Sequence, residues 1–208
     1  HLRVSIPQWF DCGSMNSSSG ISSGASLFQS HNGSIVAGPK PMITPFVDLQ
    51  EGGLSYGLGP AGYDIRLNER FAIPYGGLAV TLDPHNFDPE HFKIITLPKG
   101  KPFKLAPKSW VLAESFEAFY MPDDVAGQIL LKSSYARLGL VLCAAAIEPG
   151  WRGRLVLELY NANDYAIELY PFEGIAQVQF FRLNKPERTY ETKEVKRWQD
   201  QDGIMAWR

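Results

Sequence analysis

The sequence predicts a mainly-β protein with one globular domain, and two observations carry that prediction. The 208 residues include 19 glycines, 15 prolines and 12% aromatic residues, which is typical of many short strands joined by turns. Apolar residues fall in short runs bounded by Pro, Gly, Asn or Asp, and no long segment has the 3.6-residue period of a helix. We therefore expect an all-β fold with few short helices.

Composition and charge exclude several classes of protein. With 45% hydrophobic residues the chain is not disordered throughout, and a net charge of −2 does not favour nucleic-acid binding. No apolar run approaches the ~20 residues of a membrane span, so we expect no membrane partner. The two cysteines, Cys12 and Cys143, cannot build a disulfide scaffold and are expected to be free thiols in the cytoplasm.

Three regions of the chain differ in composition. Between Gly13 and Gly38, 14 of 26 residues are serine or glycine, which predicts a flexible N-terminal extension over residues 1–40. Residues 41–185 carry the β-rich runs, and residues 186–208 form a polar C-terminal tail. In chain order the runs read YDIRLNERFAIP, SWVLAESFEAFYM, GQILLKSSYARLGLVL, GRLVLELYNAN and GIAQVQFFRL.

The run GRLVLELYN alternates with the period of a strand. Leu155, Leu157 and Leu159 fall on one face, which places Glu158 on the other. In a pocket, desolvation would raise the pKa of this carboxyl group and suit it to proton transfer. Taken alone, the pattern favours an exposed glutamate on an edge strand.

The segment KSSYAR concentrates cations and hydroxyls. Lys132, Ser133, Ser134 and Arg137 lie within six residues, on a short helical turn or a bend between strands. Such a set can grip a polyphosphate through charge-assisted hydrogen bonds. Spacing alone favours a surface turn with incidental basic residues.

The turn IEPGWRG places Glu148 near Trp151. The carboxylate of Glu148 could accept a hydrogen bond from a hydroxyl group, and the ring of Trp151 could offer a flat surface to a sugar. In isolation, a turn with an anchoring tryptophan is the simpler interpretation.

Several catalytic motifs are missing from the sequence. It contains no phosphate-binding G-x-x-x-x-G-K-[ST] loop, no dinucleotide-binding G-x-G-x-x-G loop and no G-x-S-x-G nucleophile elbow. The cysteines stand apart and the four histidines lack matching spacing, so no zinc site is expected.

Three motifs together resemble, in their order and spacing, the dCTP deaminase branch of the dUTPase-like superfamily: KSSYARLGL, IEPGWRGRLVLELYN and EGIAQVQFF. Two further segments resemble the N-terminal half of the same family, namely ITPFVDLQEGGLSYGLGPAGYDIRL and DPHNFDPEHF. The resemblance therefore runs from about Ile43 to Gly203. It implies a distorted β-barrel or jelly roll of the β-clip type. It also implies a homotrimer that converts dCTP and water to dUTP and ammonia without zinc, feeding dUMP and dTTP synthesis. Mg²⁺ would accompany the triphosphate.

The resemblance also assigns roles at the reacting base. Glu158 would be the general base and proton shuttle, and Arg137 and Ser133 would lie beside the cytosine. Val156 and Leu157 would offer backbone contacts to it.

Other residues would hold the sugar and the phosphates. Lys132, Ser133 and Ser134 would hold phosphates, Glu148 would accept the 3′-hydroxyl, and Trp151 would shape the sugar pocket. The remaining residues expected to contact the nucleotide are Gln177, Tyr190, Arg197 and Gln201, the last two in a tail that closes over it.

Five positions depart from the family pattern. Leu131 replaces a glycine before the lysine and Ala145 replaces a threonine. In the tail, lysine, tyrosine and glycine are replaced by Arg197, Trp198 and Asp200. Three functions therefore stay open: a dCTP deaminase, a dUTPase or bifunctional enzyme giving dUMP, and a non-catalytic nucleotide-binding trimer. Glu158 favours the first, because dUTPases lack that glutamate.

Overall fold

The computed structural model describes residues 41–48, 54–75, 81–184 and 186–204. The strands within these ranges are β1 (Ile43–Thr44), β2 (Gly57–Gly59), β3 (Gly62–Pro74), β4 (Phe92–Thr96), β5 (Phe103–Leu105), β6 (Trp110–Tyr120), β7 (Val125–Leu131), β8 (Leu140–Cys143), β9 (Arg152–Asn161), β10 (Ile167–Leu169) and β11 (Gly174–Arg182). The helices described are α1 (Ser133–Ala136) and two 3₁₀ turns, Pro89–His91 and Tyr190–Thr192. The predicted all-β class with few short helices is therefore confirmed. No described helix has the length and apolar character needed to cross a membrane.

Nine strands form one strongly bent sheet. Its main path runs β7-β11-β3-β6-β9-β8, with β1 added to β6 and with β2 and β4 added to β3, while β5 and β10 pair separately. The long strands β3 and β6 each carry a bulge, between Leu67 and Phe71 of β3 and between Glu114 and Ala118 of β6, and a bulge bends the strand and increases its local twist.

The two ends of this path meet. On β7, Gly127 exchanges two backbone hydrogen bonds with Ile147, which follows β8, at 2.9 and 2.8 Å. A side chain at position 127 would meet Ile147 within about 3 Å, so the close approach requires glycine. The sheet is thereby nearly closed into a barrel, as expected from the sequence.

The strand β9 shows the predicted alternation. Leu155, Leu157 and Leu159 are 7%, 0% and 0% exposed and point into the core. Fully burying a leucine side chain stabilises the fold by about 1.5–3 kcal/mol. Glu158 therefore points to the opposite face, as predicted. The alternative of an edge strand is wrong, because β9 lies between β6 and β8.

Two carboxylates are fully buried where β6 bulges. Glu114 accepts hydrogen bonds from Asn68 and Arg70, and Glu117 accepts them from the backbone and side chain of Arg66 at 2.8 and 2.7 Å. The Arg66 guanidinium also lies over the rings of Tyr56 and Phe116, at 4.4 and 4.5 Å from their centroids. Arginines of β3 thus compensate the charges that the bulge of β6 buries.

We expect Arg66→Leu to destabilise the fold by about 3–5 kcal/mol, because Glu117 would stay buried without its cation. Urea unfolding measures this change. The matched control is Arg182→Leu, which removes a pair with Asp124 that is exposed at both ends and should cost less than about 1 kcal/mol. Equal losses in the two variants would contradict the prediction.

Candidate active site

A cavity of about 570 Å³ opens between β6, β9, the segment after β8 and the C-terminal tail. Its walls are largely apolar and include Trp110, Leu112, Ile129 and Val156. Few polar groups enter it, and two of them are the carboxylates of Glu148 and Glu158. An apolar pocket with a few polar side chains is typical of a small-molecule site.

Glu158 lies on the cavity face of β9, opposite Leu112 of β6 and Cys143 of β8. The side chain is half-buried, and burial raises the pKa of its carboxyl group above the ordinary glutamate value of 4.5. A hydrogen bond to its own backbone opposes this shift only in part. The result is a carboxylate with increased proton affinity, which suits it to accept a proton from a bound molecule.

The other acidic side chain of the cavity is already paired. Both oxygens of Glu148 accept hydrogen bonds from Lys193 Nζ, at 2.7 and 2.5 Å. The same ammonium lies 4.9 Å from the centroid of the Tyr190 ring. Lys193 was not predicted from the sequence, because no short-range pattern connects it to the turn that carries Glu148.

Aromatic residues join the tail to this end of the cavity. Trp151 Nε1 donates to the carbonyl oxygen of Trp198 at 2.8 Å, and the Trp198 amide donates to the Tyr190 hydroxyl at 3.0 Å. All three residues line the cavity. The sequence predicted Trp151 and Tyr190 as site residues, but it did not predict that Trp198 lies at the cavity.

The tail runs beside the start of β9 as a short parallel extension. The Asp200 amide donates to the Arg152 carbonyl at 2.9 Å, and the Arg154 amide donates to the Gln201 carbonyl at 2.8 Å. Side chains repeat this register, with Arg152 bound to Asp200 at 2.9 Å and Arg154 to Asp202 at 3.2 Å. This backbone contact places Gln201 at the cavity.

The contact with Arg152 accounts for Asp200, one of the departures from the family pattern. Its φ of 55° is in the left-handed region that favours glycine, but aspartate tolerates it better than most residues. Its carboxylate pairs with Arg152, so the added charge has a cation beside it.

The KSSYAR segment lies outside the cavity. Ser133 and Ser134 form the first turn of α1 and are exposed, as is Arg137 at its end. None of them lines the cavity that holds Glu158, and neither Lys132 nor Gln177 does. Within one chain, the predicted site residues therefore divide into two groups.

Lys132 and Gln177 instead meet at a buried carboxylate. Asp64 of β3 is 4% exposed, and its two oxygens accept hydrogen bonds from Lys132 Nζ and from Gln177 Nε2. Asp64 was not predicted from the sequence. The available signal was an acidic residue inside the apolar strand GYDIRL, where a charge requires a partner.

Two further residues that the sequence predicted to contact the nucleotide, Leu157 and Arg197, do not present their side chains to the cavity. The side chain of Leu157 belongs to the core, so only its backbone faces β6 and β8. Arg197 is exposed in the tail and does not line the cavity. Their roles, like those of the other site residues, stay predictions.

The sequence profile of the dCTP deaminase-like family matches residues 42–183. The chain belongs to the dCTP deaminase-like family. It is 39% identical to the dCTP deaminase of Campylobacter curvus over 168 residues, which cover 79% of this chain and 88% of that protein. Over 166 residues it is 39% identical to the dCTP deaminase of Herpetosiphon aurantiacus, covering 78% and 88% of the two chains.

The fold of this dCTP deaminase-like chain also matches a solved structure. The crystal structure of the 2′-deoxycytidine 5′-triphosphate deaminase from Agrobacterium tumefaciens superposes with a TM-score of 0.51. Sequence identity in that comparison is 18%, and the match covers 69% of this chain and 44% of the other. These comparisons confirm the resemblance and the fold class predicted from the sequence.

We expect Glu158→Gln to raise the melting temperature at neutral pH. Burial raises the pKa of this carboxyl group in the folded state above its value in the unfolded chain. Between these two pKa values, the folded protein still binds a proton that the unfolded chain has released. The free energy of unfolding therefore falls as pH rises through this range. An amide does not ionise and avoids this loss. Thermal unfolding from pH 4 to pH 8 tests this prediction.

The stabilising effect of Glu158→Gln should vanish below pH 4.5, the ordinary glutamate value, where both states carry the protonated acid. A variant that melts below the parent at neutral pH would contradict the assignment of Glu158 as a destabilised, functional carboxylate.

Proposed function

We propose that this protein is a dCTP deaminase that converts dCTP and water to dUTP and ammonia, with Glu158 as general base. Its membership of the dCTP deaminase-like family supports the reaction. The observation that carries the mechanism is the Glu158 carboxyl group, whose pKa burial raises on the wall of a largely apolar cavity.

The reaction needs a base because C4 of cytosine is a weak electrophile. Water must lose a proton as its oxygen forms a bond to C4, and Glu158 can accept that proton. The carboxylic acid then returns a proton to the exocyclic amine, the C4–N bond breaks, and ammonia leaves. The C4–N3 π electrons move to N3 as the water oxygen bonds to C4, and N3 takes the remaining hydroxyl proton as the C4 carbonyl of dUTP forms.

The cavity walls have supporting roles in this proposal. Val156 lies beside Glu158 on β9, and Ala145 lines the facing segment, so their backbone groups are available to hold the cytosine. Glu148 and Trp151 would hold the deoxyribose, with Lys193 fixing the position of the Glu148 side chain through two hydrogen bonds. Tyr190 and Gln201 would close the pocket from the tail.

We further propose that the protein acts as a homotrimer in which a second copy completes each site. The exposed side chains of Ser133, Ser134 and Arg137 do not reach the cavity of their own chain. A neighbouring copy would bring them to the triphosphate and to the cytosine that the water activated by Glu158 attacks. Arg137 would then stabilise the charge that develops on the base.

Magnesium would be bound by the triphosphate, not by the protein. The described residues contain no group of three or more His, Cys, Asp or Glu side chains positioned to hold a metal. Asp64, near the KSSYAR segment, already has both oxygens in hydrogen bonds. Mg²⁺ prefers phosphate oxygens and water, and no proton-transfer step above depends on it. The cytoplasmic location and the absence of zinc stay predictions.

Product analysis tests the reaction. Incubation with dCTP should release equal amounts of ammonia and dUTP, whereas pyrophosphate and dUMP would indicate the dUTPase or bifunctional alternative. Glu158→Gln should lower kcat by ~10²-fold or more, because the proton acceptor is lost while binding contacts are kept. Glu168→Gln is the matched control, since Glu168 is exposed on β10 and does not line the cavity. A Glu158→Gln variant with the parent kcat would overturn the mechanism.

Mixing two inactive variants tests the composite site. Glu158→Gln subunits keep Arg137, and Arg137→Ala subunits keep Glu158. After denaturation and joint refolding, activity should return to about a quarter of the parent rate, because random mixing pairs intact residues at about one site in four. Sedimentation should show a trimer in each sample. No recovery in verified mixed trimers would place both residues in the same subunit's site.

A further inference from the structure

Lys193 of the C-terminal tail holds a carboxylate that belongs to the cavity wall. Glu148 lines the cavity, whereas Lys193 does not. The ammonium group of Lys193 donates to both oxygens of Glu148, at 2.7 and 2.5 Å, and lies 4.9 Å from the centroid of the Tyr190 ring. An ammonium group is attracted to the face of an aromatic ring. A residue outside the cavity therefore sets the direction of an acceptor inside it.

The backbone that carries Lys193 is itself fixed against the turn that carries Glu148. Lys193 ends the 3₁₀ turn Tyr190–Thr192, which begins with reciprocal hydrogen bonds between Thr189 and Thr192. The amide of Tyr190, in the first position of that turn, donates to the Pro149 carbonyl at 2.7 Å. Pro149 follows Glu148 in the chain. The two side chains of the pair thus start from backbone segments that are hydrogen-bonded to each other.

The pair between Lys193 and Glu148 matters for orientation more than for stability. The two side chains are 40% and 43% exposed, and ion pairs that are this exposed add little to the free energy of unfolding. A glutamate side chain without a partner samples several rotamers, and fixing one of them costs conformational entropy. A carboxylate has about four lone-pair sites, so Glu148 can accept a ligand hydroxyl while it accepts from Lys193.

We propose that Lys193 is a positioning residue for sugar recognition: it holds Glu148 in the orientation that accepts the 3′-hydroxyl of the deoxyribose, so that selection for this hydroxyl depends on the docked tail. This inference rests on the proposed function, in which Glu148 holds the deoxyribose. It extends that function, because it gives the tail a part in selecting the sugar as well as in closing the pocket. The discriminating probe is 2′,3′-dideoxy-CTP, which lacks only that hydroxyl.

The measured quantity is the ratio of the dissociation constant of 2′,3′-dideoxy-CTP to that of dCTP. Calorimetry in the Glu158→Gln background, where turnover is slow, gives both constants. With Lys193 present the ratio should be about tenfold or more, because the dideoxy nucleotide loses a hydrogen bond to a charged acceptor. Lys193→Met should lower it below about threefold, because Glu148 is no longer oriented, while methionine keeps an apolar stem in the same place.

The control is Lys196→Met, which removes another cation from the same tail. Lys196 is exposed and does not line the cavity. Loss of a nearby cation weakens the binding of both triphosphates by Coulomb's law, and this effect cancels in the ratio. Lys196→Met should therefore keep the ratio of the Glu158→Gln protein. Equal weakening of both nucleotides by Lys193→Met, with an unchanged ratio, would mean that Lys193 acts on the phosphates or on the tail as a whole, and overturns the proposal.

A second variant separates positioning from direct contact. Glu148→Ala should bring the ratio close to one, and adding Lys193→Met should leave it there, because Lys193 acts through Glu148. If the ammonium group itself bound the hydroxyl, the Glu148→Ala protein would keep part of its preference for dCTP and Lys193→Met would remove it, which also overturns the proposal. Melting curves verify folding, and failure of Lys193→Met to fold would show a structural role instead.

Turnover by the parent separates this inference from the proposed function. With Glu158 intact, ammonia release from dCTP should exceed that from 2′,3′-dideoxy-CTP in kcat/KM. A parent that prefers dCTP in binding but releases no ammonia contradicts only the proposed reaction. A parent that deaminates both nucleotides with equal kcat/KM overturns only the role of Lys193, and one that binds neither nucleotide overturns both.

Discussion

The pairing of β9 with its neighbours is the constraint on which the cavity depends. Its leucines fill the core on one face, so the strand cannot shift by one residue without exposing all of them. That requirement holds Glu158 on the other face, in register with Leu112 of β6. The packing of the β9 leucines in the core thereby fixes the position of Glu158, which lies on the opposite face of the same strand.

Local sequence patterns predicted the structural features that depend only on residues close together in the chain. The alternation of β9 could be read directly, because strand geometry sends successive side chains to opposite faces. The contact between Lys132 and Asp64 could not, since it joins positions 68 residues apart and depends on β11 lying between β7 and β3. Likewise, nothing near IEPGWRG indicated that Lys193 would pair with Glu148. The sequence therefore predicted which residue types carry the chemistry better than which of them meet.

The tail illustrates how a departure from a family pattern can be compensated elsewhere. A carboxylate at position 200 would be unfavourable beside a triphosphate, as Coulomb repulsion requires. Here Arg152 faces it, and Arg154 faces Asp202 two residues later, so both carboxylates have cations at matching positions on the parallel strand. Exposed pairs of this kind contribute little each. The backbone hydrogen bonds between the tail and β9 hold the tail, and the charges favour its register.

The replacement of threonine by Ala145 changes the wall of the cavity into which the β9 leucines direct Glu158. A threonine hydroxyl there could have donated to a nearby acceptor, whereas alanine adds a methyl group to the cavity wall. Burial is the larger influence on the pKa of Glu158 and raises it, in the direction that strengthens a base, and a methyl group at position 145 supplies no hydrogen bond that would oppose this shift. An apolar wall also offers no side-chain hydroxyl to orient a water molecule. In the proposed trimer, Ser133 of a neighbouring copy would take over the task of orienting that water beside Glu158.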